Sequence, residues 1–247
     1  MNVVILAAGK GKRMKSDIPK VLHELAGKPL LGWVLDTVSS LSPEKTIVVT
    51  GFKRELVEKY IKSRKDSTKM TTVIQTELLG TADAVKRALP KLPDDGLLIV
   101  LCGDVPLLTA KTIKKLVDHH ENTNAAATIL TAVLEDPAQY GRIIRTKDGD
   151  VEKIVEFKDA TDAQRKIKEI NTGTYVFNLK PLREVINLVS ADNAQREYYL
   201  TDVIHLLRGR GYKISALPAE DVWEVAGVNS KEQLERLEKH VRAKVKE

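Results

Sequence analysis

Cysteine occurs once in this sequence, at Cys102, so no internal disulfide can form, and such sparing use favours the cytoplasm. Aromatic residues make up only 4% of the 247 positions, too few for the stacking platforms that grip single-stranded nucleic acid. No apolar run approaches the roughly 20 residues needed to cross a bilayer. The opening MNVVILAAG lacks the basic n-region and extended apolar core of a secretory signal. Fixed-period repeats and low-complexity linkers are also missing. What is left has the composition of a globular protein, 43% hydrophobic and 30% charged, with a net charge of +6. That excess is too diffuse to imply nucleic acid and suits an anionic small ligand. Two lysine-rich stretches, 62–69 and 239–246, read as solvated helix faces.

Short β-branched runs recur with helical patterns between them. Val3–Ala7, Thr46–Thr50, Thr72–Thr76 and Leu97–Leu101 read as buried strands, and 29–41, 54–63 and 81–92 carry apolar residues at helical spacing. This alternation predicts an α/β fold with a mostly parallel central sheet and helices on both faces. After Asp104 a helix over 110–122 leads into strand-like pieces at 125–134, 142–146 and 151–157, an expected mixed or antiparallel addition. Further strands fall at 174–178 and 212–217, and an amphipathic last helix over 230–246 starts at Ser230 as N-cap.

Leu6 to Lys20, LAAGKGKRMKSDIPK, joins a strand end to a glycine turn and a crowd of cations. Ligands of open α/β sheets collect at such strand ends. A dinucleotide fingerprint needs a third glycine where Met14 stands, and a P-loop needs G-K-[S/T], which neither Gly11-Lys12-Arg13 nor Gly27-Lys28-Pro29 supplies. A basic surface turn is the plain alternative. The reading that uses every residue is a loop around a triphosphate. Small residues Ala7, Ala8 and Gly9 let the backbone approach base and ribose. Successive N–H groups of the Gly9–Gly11 turn can face phosphate oxygens. Arg13 offers a planar fork to the phosphates and Lys20 a compact point charge, aimed by Pro19.

With its P-K pair at Pro19-Lys20, this segment resembles the L-A-A-G-x-G-x-R-M signature of sugar-1-phosphate nucleotidyltransferases. More narrowly it is similar to the uridylyltransferase half of the bacterial bifunctional N-acetylglucosamine-1-phosphate uridylyltransferase/glucosamine-1-phosphate acetyltransferase family. QTELLGTADAV, GDVPLL, YGRIIR, IVEFKDAT, EINTGTYVFN, EYYLTDVI and VAGVNS continue the match in collinear order over nearly the whole chain. The resemblance implies a Rossmann-like nucleotidyltransferase domain over 1–229, followed by a helix over 230–247 that would connect to a β-helix domain. Its activity would be Mg²⁺-dependent transfer of UMP from UTP to N-acetylglucosamine 1-phosphate, giving UDP-N-acetylglucosamine and pyrophosphate. No hexapeptide periodicity precedes Glu247, so acetyl transfer and a β-helix trimer are not expected, nor are nucleic-acid or membrane partners.

Asp104, just past a buried strand with Gly103 beside it, is a carboxylate that needs a metal, a donor or a turn to cap. In the family this aspartate holds Mg²⁺, and the asparagine of GVNS, Asn229, is the second protein ligand. The same resemblance gives Arg13 and Lys20 catalytic roles on the triphosphate. It assigns Leu6, Ala7, Ala8, Gly9, Gly11, Gln75, Gly80 and Thr81 to the nucleotide, and Gly103, Gly141, Glu156 and Asn171 to the sugar. Two departures stand out. Asp83 occupies a position where many of the nearest relatives have histidine, which puts a charge near the base pocket. Cys102 replaces an aromatic or polar residue and reads as a small buried filler. His119-His120 lack metal-type spacing and read as surface residues. A transferase using another sugar phosphate or dTTP, and a non-catalytic sugar-nucleotide sensor, are the competing readings.

Overall fold

The computed structural model describes residues 1–244. Chain order runs β1 (Asn2–Ala7), β2 (Glu24–Leu25), β3 (Lys28–Pro29), α1 (Leu30–Leu41), β4 (Lys45–Thr50), α2 (Arg54–Ser63), β5 (Met70–Ile74), α3 (Thr81–Ala88) and β6 (Leu97–Cys102). It continues with α4 (Ala110–Thr123), β7 (Ala127–Val133), β8 (Arg142–Arg145), β9 (Val151–Val155), α5 (Asp162–Arg165) and β10 (Glu169–Asn178). The last elements are α6 (Leu179–Val185), α7 (Asp202–Gly209), β11 (Ile214–Pro218) and α8 (Lys231–Lys244).

The main path of the sheet is ordered β11-β7-β10-β6-β1-β4-β5. Strands β6, β1, β4 and β5 run parallel to one another, as the alternating pattern predicted. Only β10 runs against both β6 and β7, while β11 is again parallel to β7. The β8–β9 hairpin hangs from β10 through the Ile170–Arg142 pair. This is the expected mixed addition.

Both faces of the sheet are largely apolar, because strands covered on both sides read as near-continuous hydrophobic runs. Val4, Ile47, Val49, Leu98 and Val100 point to one face, under α3, α6 and α7. Val3, Ile5, Val48, Ile99 and Leu101 point to the other, under α1, α2 and α4. Full burial of each such side chain is worth ~1.5–3 kcal/mol.

A third, smaller cluster holds Met14, Leu25, Leu30, Val228 and Leu237. It lets α8 pack directly behind the glycine turn. Ser230 caps this helix, its Oγ accepting from the Gln233 N–H at 3.3 Å. The expected end of the helix at 245–246, and the end of the lysine-rich stretch at 246, lie outside the described residues.

Several boundaries move for local reasons. The third strand is Met70–Ile74 rather than 72–76, so Gln75 stands just beyond it. Pro90 converts the end of the 81–92 helix into a 3₁₀ turn over Leu89–Lys91. The strand expected at 174–178 begins at Glu169, and its register shifts between Asn171 and Thr174. Gly173, at φ +81°, sits in that bulge opposite Cys102, whose Sγ lies 2.9 Å from where a Cβ would be. No described helix is long and apolar enough to cross a membrane.

Candidate active site

Three segments from distant parts of the chain meet at the carboxyl end of β1 and β6. Beyond β6, Gly103 donates its N–H to the Leu6 carbonyl at 2.9 Å. A Cβ on Gly103 would crowd Leu6, Val21 and Ala7 at 3.1–3.4 Å. The small residue thus serves packing against β1, and it brings Asp104 to the sheet edge. The Asp104 carbonyl accepts from the Val228 N–H at 2.9 Å, which draws the 226–229 segment alongside. Gln233 Oε1 then accepts from the Asn229 N–H at 2.7 Å, so the first turn of α8 holds Asn229 in place.

Lys20 fills the space between these ends. Its Nζ donates to Asp104 Oδ2 at 2.5 Å and to Asn229 Oδ1 at 2.8 Å. The two side chains of the ion pair are only 15% and 14% exposed. Gly11 makes this possible: it adopts φ +63°, and a Cβ there would lie 2.6 Å from Lys20 Cβ. A glycine expected to serve phosphates is therefore also the residue that makes room for the lysine.

Asp104 and Asn229 already share one cation through two oxygens. Hard oxygen donors of this kind fit Mg²⁺, which takes one or two protein ligands and completes its shell with phosphates and water. No cluster of three or more His, Cys, Asp or Glu suited to a metal occurs among the described residues. Arg13 is exposed, and its Nη1 donates to Gln139 Oε1 at 3.0 Å across the cleft. Tyr140 accepts from the Gly227 N–H at 3.2 Å, and burial pushes its hydroxyl above the ordinary range.

Among the residues expected at the nucleotide, Leu6 and Ala7 end β1, and Ala8 and Gly9 follow it. The Ala8 carbonyl accepts from the Phe52 N–H at 2.9 Å, and a Cβ on Gly51 would strike Ala8 at 2.8 Å. Nothing lies within 4 Å of a Cβ built on Gly9, which faces open space. Gln75 is 4% exposed. Its Nε2 donates to the Gly80 carbonyl at 2.9 Å and to Asp83 Oδ2 at 2.8 Å, and Asp83 also accepts from Arg87 Nε at 2.9 Å. Gly80, at φ +116°, packs so closely on Tyr198 that a Cβ would fall 2.5 Å from its carbonyl oxygen. Thr81 Oγ1 accepts from the Leu200 N–H at 2.9 Å.

The residues expected at the sugar also converge. A Cβ on Gly141 would sit 3.5 Å from both Glu156 carboxylate oxygens, and its carbonyl accepts from the Asn171 N–H at 2.9 Å. Burial pushes the Glu156 carboxyl up to about 6, opposed by a hydrogen bond from Thr201. Asn171 is 8% exposed beside the β10 bulge. Arg142 supports this region: its buried guanidinium donates to the carbonyls of Pro137, Ala138, Tyr140 and Arg165. That shapes the loop carrying Gln139, Tyr140 and Gly141.

Sequence reasoning passed over Arg142, Gln139, Tyr140, Arg87 and Gln233. The arginine of YGR was the available signal, since a cation inside a strand must find carbonyls or carboxylates. Cys102, expected as a buried filler, is partly buried: desolvation pushes its thiol up to about 12, and its Sγ contacts the Gly173 carbonyl at 3.5 Å. His120 corrects the surface reading of the histidine pair. It is 2% exposed and bonded to Thr128 Oγ1 and Asn178 Oδ1, and burial lowers its pKa. Its position on the inner face of α4 decides this, and spacing to other ligands could not reveal it.

Comparison with known proteins agrees with this fold. The profile of the nucleotidyl transferase family matches residues 2–231. Bifunctional protein GlmU of Geobacillus sp. (strain WCH70) is 51% identical over 243 residues, 98% of this chain and 52% of that protein. GlmU of Bacillus cytotoxicus is 49% identical over 236 residues, 95% of this chain and 50% of its own length. The chain thus spans about half the length of the curated relatives it matches. A UDP-glucose pyrophosphorylase complexed with UDP-glucose has a TM-score of 0.77 over 98% of both chains at 17% identity. HddC from Yersinia pseudotuberculosis, complexed with GMP-PN, gives 0.71 over 97% of this chain and 99% of its own at 22% identity. At those identities the likeness concerns the fold.

Proposed function

The chain belongs to the nucleotidyl transferase family, and we propose that it transfers UMP from UTP to N-acetylglucosamine 1-phosphate with Mg²⁺, releasing UDP-N-acetylglucosamine and pyrophosphate. One observation carries this reading: Lys20, Asp104 and Asn229, from three distant parts of the sequence, meet around a single cation position at the end of the glycine turn. A phosphate oxygen of the sugar phosphate attacks the α-phosphorus of UTP in line. The new P–O bond forms as the bond to the β-phosphate breaks, and pyrophosphate departs with the electron pair.

Both reactants are anions, so the work of the protein is positioning and charge compensation. Asp104 Oδ2 and Asn229 Oδ1 are the oxygens that would hold Mg²⁺, which when bound supplies Lewis-acid neutralisation of the phosphates. Lys20 exchanges those two oxygens for phosphate oxygens when the triphosphate enters. Arg13 swings from Gln139 to the same anion and clamps it with its fork. The end of β1 and Gln75 hold the nucleoside, and Glu156, Asn171 and the Gly141 backbone receive the sugar hydroxyls and amide.

The test is pyrophosphate release from a panel of UTP, dTTP and CTP with N-acetylglucosamine 1-phosphate and glucose 1-phosphate, with and without Mg²⁺. Fast release is expected only with UTP, N-acetylglucosamine 1-phosphate and metal together. Tight UDP-sugar binding with no release from any pair overturns the enzymatic reading. Preference for glucose 1-phosphate or dTTP overturns the substrate assignment.

A further inference from the structure

Asp83 has no part in the chemistry just described, yet it touches a group that does. Its Oδ2 accepts from Gln75 Nε2 at 2.8 Å and from Arg87 Nε at 2.9 Å. The other Gln75 amide hydrogen goes to the Gly80 carbonyl at 2.9 Å. A primary amide has two donors and one acceptor oxygen. Here both donors are taken by groups that can only accept. Turning the amide over would set its oxygen against a carboxylate and a carbonyl and would lose both bonds. The nitrogen therefore faces inward, and Oε1 is the only Gln75 group left for a ligand.

We propose that Asp83, clamped by Arg87, is a positioning residue that fixes the polarity of Gln75. It thereby restricts the nucleotide to a base with a ring N–H at that edge, a pyrimidine-2,4-dione. The inference rests on the reading of Gln75 as a base contact. Uracil and thymine both carry the N3–H that Oε1 can accept. Cytosine in the same register sets an N3 lone pair against that oxygen. The sequence cue was the departure at Asp83, whose charge, paired with Arg87, orients the base-reading amide. Only the folded chain shows this, because Gln75 and Asp83 lie on different elements, one past β5 and the other in the first turn of α3.

The experiment is calorimetric titration of the full chain with UDP and with CDP, for the wild type, Asp83→Ala and Asp83→Asn. The wild type is expected to bind UDP about tenfold or more tightly than CDP, the size of one lost hydrogen bond that leaves a buried acceptor unpaired. In Asp83→Ala the amide keeps a single anchor, and the UDP-to-CDP ratio should fall by about tenfold. Asparagine still presents an acceptor oxygen to the amide, so Asp83→Asn should keep the ratio within about threefold of the wild type.

Asp83→Ser, too short to reach the amide, replaces the alanine variant should that one not fold, as judged by circular dichroism and Tm. A folded alanine or serine variant with the full wild-type preference overturns the proposal and leaves the proposed function standing. Loss of preference in Asp83→Asn equal to that in Asp83→Ala also overturns it, by assigning the effect to charge rather than to amide polarity. A wild type that binds UDP and CDP alike overturns the uridine reading of the pocket together with the proposal.

Discussion

The cation corner and the base corner of the cleft solve the same problem, the burial of polar groups near a ligand, in opposite ways. At the cation corner Lys20, Asp104 and Asn229 satisfy one another, and under the proposed function every one of those contacts is exchanged for a triphosphate and its metal. At the base corner Gln75, Asp83, Arg87 and Gly80 also satisfy one another, but their bonds remain and only Gln75 Oε1 is offered. The first corner keeps strong charges compensated until they are used. The second is preorganised, so no reorganisation is required when the base docks. Changes at the cation corner should therefore strike turnover, and changes at the base corner should strike selectivity.

The strongest way to break this contrast is Asp104→Ala. It leaves the Lys20 ammonium with only the Asn229 amide and removes the anionic half of the metal pair. Pyrophosphate release should fall to background, and Mn²⁺ titration should show no tight site, while Tm drops from the stranded ammonium and circular dichroism stays that of a folded chain because the backbone bond to Val228 persists. Measurable turnover at saturating Mg²⁺ would remove Asp104 from the mechanism.

Lys20→Met sharpens the comparison further, since its two readouts should move in opposite directions. Loss of a preorganised charge donor should lower kcat by about a hundredfold or more. The same change frees the Asp104 and Asn229 oxygens, so Mn²⁺ should bind the free enzyme more tightly than in the wild type. A lysine that merely ties the fold together would weaken stability and leave cation affinity unchanged.

The contrast also separates what the sequence makes legible from what it does not. The parallel half of the sheet could be read from β-branched runs, because burial on both faces makes the middles of β1, β4 and β6 continuously apolar. The direction of β10 could not, since its reversal depends on which neighbours it finds and not on its own composition. Asp104 was readable as a carboxylate at a strand end. Its meeting with Asn229 was not derivable from spacing and came through the motif GVNS, because the contact joins opposite ends of the chain. The cue at Asp83 was a bare charge; that Arg87 and Gln75 would absorb it depends on α3 packing behind β5. Glu156 reads as a solvated strand residue from its own run, and only the folding of the β8–β9 hairpin against α7 buries it.

Glu156, beside Gly141 and Thr201, belongs to neither corner and should give the smallest of these effects, with a sign that can be worked out. Burial is the main cause lifting its carboxyl from 4.5 to about 6, and Asp159, Asp202 and Glu197 add to the lift against one hydrogen bond from Thr201. A carboxyl whose folded-state pKa is raised binds its proton more tightly when folded. The associated stability is fully present below about 4.5 and is lost as pH rises through about 6. At pH 7.5 the ionised group therefore costs about 2 kcal/mol at most, from ~1.4 kcal/mol per pH unit. Glu156→Gln removes that cost, so its Tm should exceed the wild type at pH 7.5, and the advantage should vanish near pH 4.5. The carboxylate is kept for what it accepts: KM for the sugar phosphate should rise severalfold in Glu156→Gln at pH 7.5, and in the wild type as pH falls from 7.5 to 5.5. A glutamine variant with unchanged KM would detach Glu156 from the sugar, and a Tm advantage that does not shrink towards low pH would mean that the carboxyl is not raised in the folded chain.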